Sequence, residues 1–135
     1  MLNRLRARLA AALGRRGEDA AKAMLRQAGW RILDRNWRQV RLELDLVCDD
    51  GTDLVFVEVR TRKEQGMVSP AESVTSDKQR SLIKAARAYM VAHNSWERSC
   101  RFDVICIVAD DTLHLEHIRH AFEYAPSMGR GYAAR

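Results

Sequence analysis

What this chain does without sets its class. No stretch approaches the ~20 apolar residues of a membrane-crossing helix, so no span is expected. Cysteine is scarce. Cys48, Cys100 and Cys106 are odd in number and lack close CxxC or CxxH spacing, which points away from a disulfide framework or a zinc site and fits a reducing cytoplasm. Internal repeats and low-complexity blocks are missing. So, at one end, are acids: the first seventeen residues hold Arg4, Arg6, Arg8, Arg15 and Arg16 without one Asp or Glu.

What is present fits one domain with one real core: 135 residues, 47% of them hydrophobic. The 23 Lys and Arg outnumber the 18 Asp and Glu, for a net charge of +5, which leans toward a polyanionic partner. The opening "MLNRLRARLAAALG" is too broken by arginine to be a secretory leader. Residues 1–13 read as a basic helical segment facing solvent or nucleic acid, in preference to a basic amphipathic helix lying on anionic lipid. No membrane partner is expected.

Hydrophobic spacing at 21, 24, 25 and 28 predicts a helix over about 15–28, with Gly14 breaking it from the basic segment and Gly29 stopping it. "WRILDRNW", "RLELDLVC" and "LVFVEVRT" read as three strands, the last two joined by the turn cluster "DDGTD". Residues 63–76 form a loop. "SDKQRSLIKAARAYMVAH" carries Leu82, Ile83, Ala86, Tyr89 and Met90 at helical spacing, with Ser76 as its cap. "RFDVICIVA" and "LHLEHI" are two more strands, "RHAFEY" a short helix, and 125–135 a frayed tail. The expected class is α/β: a mixed central sheet of about five strands flanked by helices, in the order α-β-β-β-α-β-β.

The third strand sets Glu58 two residues before Arg60, on the face opposite Val55, Val57 and Val59. Ionised groups are hard to bury without a partner. A hairpin register in which paired numbers sum to 101 puts Asp45 opposite Phe56 and Glu43 opposite Glu58. Asp45 and Glu58 are then diagonal neighbours roughly 7 Å apart. Glu18 lies on the apolar stripe of the first helix and offers a third acid. Three carboxylates on one site suit Mg²⁺ or Mn²⁺, hard cations that take oxygen ligands. Lys78 and Gln79, at the start of the second helix, reach toward the same cluster.

These residues carry a resemblance. "GRRGEDAA", "ELDLV", "LVFVEVRTR", "SVTSDKQ" and "RFDV" together resemble the YraN-like family of small bacterial proteins, within the PD-(D/E)xK nuclease superfamily that includes Holliday-junction resolvases. The likeness covers about residues 14–124, set against the 1–13 segment and the 125–135 tail. It implies a restriction-endonuclease-like fold, with Asp45, Glu58, the Val59 carbonyl and Glu18 as metal ligands. It further implies an endonuclease that hydrolyses DNA, branched or structured DNA included, and a homodimer. Arg60 stands where the superfamily usually has lysine. Arginine stabilises charge but does not serve as a base, so a binding module with reduced or absent hydrolysis is the alternative reading. Arg15, Arg16, Arg62 and Lys63 flank the site in sequence and suit phosphate contacts.

Plainer roles fit other residues. Glu43 is a further site acid or an exposed strand residue. Glu72 and Asp77 belong to the loop and to the helix's first turn. Asp103 is expected to pair with Arg101 or another nearby base. His114, His117 and His120 diverge too far for a metal site, Trp30, Trp37 and Trp96 pack rather than stack on bases, and Cys48 and Cys106 are core thiols.

Overall fold

A computed structural model describes residues 2–62, 74–109 and 112–123. The element order is α1 Leu2–Gln27, β1 Arg31–Gln39, β2 Leu42–Asp49, β3 Leu54–Arg62, α2 Ser76–Ala92, β4 Cys100–Ala109 and β5 Leu113–Phe122. The five strands form one sheet in chain order. β3 and β4 are parallel, with α2 between them in sequence, and the other neighbours are antiparallel. This is the mixed α/β architecture, order α-β-β-β-α-β-β, that the motifs implied.

Both faces of the sheet are covered. Ala21 and Leu25 of α1 pack on Leu46, Cys48, Val55, Val57, Ile105 and Ile107. On the other face, Leu82, Ile83, Ala86, Tyr89 and Met90 of α2 pack on Val47, Phe56, Phe102 and Val104. Strand alternation separates the two sets, and burying each Val, Leu or Ile side chain contributes about 1.5–3 kcal/mol. The valine row of β3 is therefore core, as expected, but the row of Phe56 and Glu58 is roofed as well. α1 comes unusually close at Gly17. A Cβ there would lie 2.9 Å from both Ile107 Cδ1 and Thr61 Oγ1, so the missing side chain sets the helix against the sheet one residue before Glu18.

Four expectations are corrected. α1 runs unbroken through Gly14, where nothing crowds the backbone and glycine costs only about 1 kcal/mol of helix propensity. The β2–β3 register sums to 103, not 101: Leu46 faces Val57 and Val47 faces Phe56. The loop between them holds four residues, 50–53, and aspartate side chains close it. Asp49 Oδ1 accepts from Gly51 N at 2.8 Å, and Asp50 Oδ1 accepts from Thr52 N and Asp53 N at 2.8 and 2.7 Å. Gly51, at φ +99°, supplies the left-handed turn residue. The "RHAFEY" segment is no helix, because β5 stays paired with β4 as far as Phe122, whose ring stacks on Phe102 at 4.8 Å. Thr75, one residue before Ser76, caps α2 by accepting from Lys78 N.

Candidate metal-binding site

The corrected register brings the two key acids closer than expected. Extending it by one step from Leu46–Val57 sets Asp45 directly across from Glu58, on the face that α2 covers. Asp45 Oδ2 accepts from the Val59 backbone N–H at 2.9 Å, which locks its carboxylate over β3. Glu58 is only 7% exposed. Burial, and then the neighbouring charge of Asp45, push its carboxyl up to about 7, and the protonated form donates a hydrogen bond to Asp45. Lys78 and Arg60 pull the other way without cancelling this.

Two cations approach the pair. Arg60 Nε lies 3.1 Å and Lys78 Nζ 3.7 Å from Glu58 Oε2. The arginine contact is an ion pair without hydrogen-bond alignment, since buried Arg60 Nε has no aligned acceptor. Lys78 sits in the first turn of α2, three residues after the Thr75 cap, and its side chain reaches the Glu58 carboxylate from there. Gln79 does not point its amide at the acids: Nε2 donates to the Val74 carbonyl at 3.0 Å and ties down the helix entry.

Glu18 has a hydrogen-bond partner on β1. Its helix covers the valine face of β3, and its Oε1 accepts from Asn36 Nδ2 at 3.3 Å. Among the described residues no three His, Cys, Asp or Glu side chains are grouped to hold a metal ion. Asn36, a contact the sequence reading missed, sits on β1 at φ +50°, between the pairs Arg35–Leu46 and Trp37–Leu44 and so opposite Asp45. An asparagine inside "DRNW" was its one signal, because Asn tolerates left-handed backbone. Val59 is half-buried on the α1 side. Arg15 and Arg16 are exposed on α1, a turn before Glu18. Arg62 ends β3, and Lys63 and Glu72 lie outside the described residues.

The two juxtaposed carboxylates fit a magnesium-like ion, which is commonly held by one or two carboxylates with several waters retained. Burial and the facing charge of Asp45 make ionised Glu58 costly even beside Arg60 and Lys78, and a divalent cation would offset that cost.

The remaining acids have other partners. Glu43 is exposed and pairs with Arg38 at 3.2 Å, and Asp77 pairs with Arg80 in the first turn of α2. Asp103 is 0% exposed. Arg101 Nε and Nη2 donate to it at 3.0 and 3.3 Å, the His120 backbone N–H donates at 3.1 Å, and His117 Nε2 lies 2.8 Å away. Burial pushes its carboxyl up, but these bonds outweigh burial and hold it below the ordinary range. Arg101 also reaches Asp50 and Asp53 of the β2–β3 turn at 2.6 and 3.2 Å. Trp30 and Trp37 pack as expected, Trp96 is half exposed, and Cys48 and Cys106 are buried.

A mixed five-stranded sheet with a helix on each face and an acid pair on its second and third strands defines a mixed α/β class with a buried carboxylate on its central sheet. Within it, residues 17–107 match the model of uncharacterised protein family UPF0102. The chain belongs to that family, the YraN-like group that its motifs resemble. A UPF0102 protein of Nitratidesulfovibrio vulgaris is 46% identical over 121 residues, covering 89% of this chain and 90% of its own. Similar proteins of Lawsonia intracellularis and Geobacter sulfurreducens are 48% identical over 117 residues and 46% over 115. These matches cover 86% and 84% of this chain, and 89% and 90% of theirs.

Proposed function

We propose that this protein is a metal-dependent endonuclease that hydrolyses phosphodiester bonds in DNA, with branched or otherwise structured DNA as its substrate class. The observation that carries the reading is the contact between Asp45 and Glu58, one of them buried, with Lys78 and Arg60 closing on the same oxygen. Asp45 and Glu58 would hold Mg²⁺ or Mn²⁺, which supplies an activated water and stabilises charge on the phosphate. The Val59 N–H keeps Asp45 aimed at that position. Arg60 and Lys78 offset the negative charge that builds on the phosphate oxygens, and Arg60 stays protonated throughout. Arg15, Arg16, Arg62 and Lys63 hold the DNA backbone without reading sequence.

Incubating the purified chain with junction, flap, single-stranded and duplex DNA, under Mg²⁺, Mn²⁺ or chelator, tests this. Cleavage is expected with metal, and Glu58→Ala abolishes it while binding persists. Sedimentation of the same samples reports whether the chain forms the two-fold dimer that the resemblance implies.

A second reading is a nucleic-acid-binding module without hydrolytic power. Arg60 in the usual lysine position favours it, as do the engagement of Gln79 with Val74 and of Glu18 with Asn36. Salt-sensitive binding of all four DNAs, with none cleaved under either metal, decides for the module.

A further inference from the structure

The first half of α1 has no role in the acid pair, and its surface is unusual. Among the side chains described there, none before Gly17 is buried. Leu2, Leu5 and Leu9 are 67%, 52% and 62% exposed. Spaced three and four apart, they make one continuous row.

That row is not the core stripe running on past the edge of the sheet. Gly17, Ala21 and Leu25 mark the side of α1 that meets the sheet. At about 100° per residue, the leucine row sits roughly 130° around the helix from it, aimed away from the domain. Arginines flank the row on both sides, Arg6 on one and Arg4 and Arg8 on the other, all exposed. No acid interrupts this surface before Glu18. The family match begins only at residue 17, so the arm lies outside the matched span.

Against the solvent-facing or nucleic-acid-facing reading of the sequence, we propose that residues 2–9 are a docking arm for anionic membrane surfaces, with the leucine row inserted below the headgroups and Arg4, Arg6 and Arg8 paired with lipid phosphates. The charge pattern selects this occupant. DNA phosphates satisfy arginines but give a leucine row nothing to bury against. A second copy meeting on this row would press two acid-free arginine sets together. A bilayer containing anionic lipid offers an apolar layer beneath a negative one, the arrangement that a basic amphipathic helix matches. Because the row faces away from the sheet, the domain hangs clear of the surface. No described helix is long and apolar enough to cross, so the association is peripheral.

Flotation of the full chain with phosphatidylcholine vesicles, with and without phosphatidylglycerol, tests the arm. The chain is expected to float with the anionic vesicles at low salt and not with the neutral ones. Leu5→Glu with Leu9→Glu, at exposed positions that leave the circular dichroism unchanged, lowers the bound fraction roughly tenfold or more. Arg6→Gln with Arg8→Gln lowers it as well, whereas Glu58→Gln floats like the parent, which separates this result from the fate of the nuclease reading. Absence of flotation, equal flotation on neutral vesicles, or full flotation of the leucine variant overturns the proposal. So does a leucine variant that floats normally but loses self-association or DNA affinity, because the row then belongs to a second copy or to nucleic acid.

Discussion

Two buried acids on adjacent central strands have opposite fates. Asp103 on β4 is completely enclosed, yet a guanidinium, an imidazole and a backbone N–H keep it ionised. Glu58 on β3 is buried almost as deeply, but a second carboxylate, Asp45, stands across from it, and its carboxyl rises to about 7 in spite of Arg60 and Lys78. An acid whose bonds are complete holds the fold together, whereas one set against a like charge costs stability when ionised. Position in the sheet does not separate the two, since Val57, the residue before Glu58, pairs with Asp103 itself. Their partners do.

Removing each acid should therefore act in opposite directions. Asp103→Ala takes from Arg101, His117 and the His120 N–H the buried carboxylate they share, leaving Arg101 only Asp50 and Asp53, and is expected to cost about 3 kcal/mol in urea unfolding. A loss below ~1 kcal/mol would erase the contrast.

Glu58→Gln should stabilise the metal-free protein at alkaline pH. The folded pKa is raised above the ordinary 4.5, so the folded state binds the extra proton. Its stabilising contribution is complete below about 4.5 and is lost as pH climbs through about 7. Wild-type stability should fall across that window while the Glu58→Gln profile stays flatter, leaving the variant about 1–3 kcal/mol more stable at pH 8. Parallel pH profiles would show that the pair is not strained.

Metal should relieve the same strain. At ten times its dissociation constant, Mn²⁺ is expected to stabilise the wild type by about 1.4 kcal/mol at pH 8 and to leave Glu58→Gln unchanged in thermal melts. The smallest effect belongs to Glu18. Its hydrogen bond to Asn36 is long and exposed, so Glu18→Ala should change stability by about 0.5 kcal/mol or less. A large loss of Mn²⁺ affinity in that variant would instead bring Glu18 into the metal's ligand set.

Much of this was legible in residue order. Alternation in "LVFVEVRT" separated Glu58 from the valine row, and helical spacing located α2, so Lys78 was expected near the acids and lies there. Asp103 and Arg101 pair as "RFDV" suggested. The register was not legible, because several loop lengths fit "DDGTD" and the choice rests on which aspartates turn back onto backbone N–H groups. Nor was the bond between Glu18 and Asn36, because periodicity says which side of a helix meets a sheet but not which strand its polar side chains reach. Gly14 misled because an uncrowded glycine inside a helix costs propensity without breaking the chain's path.

Whether Asp45 and Glu58 form a divalent-cation site is settled most directly by titrating Mn²⁺ into the wild-type chain, Asp45→Asn and Glu58→Gln at pH 8, with free Mn²⁺ followed by electron paramagnetic resonance. One saturable site per chain in the wild type, lost in both variants, is the predicted result. Equal uptake by all three proteins, or none by the wild type, would contradict it.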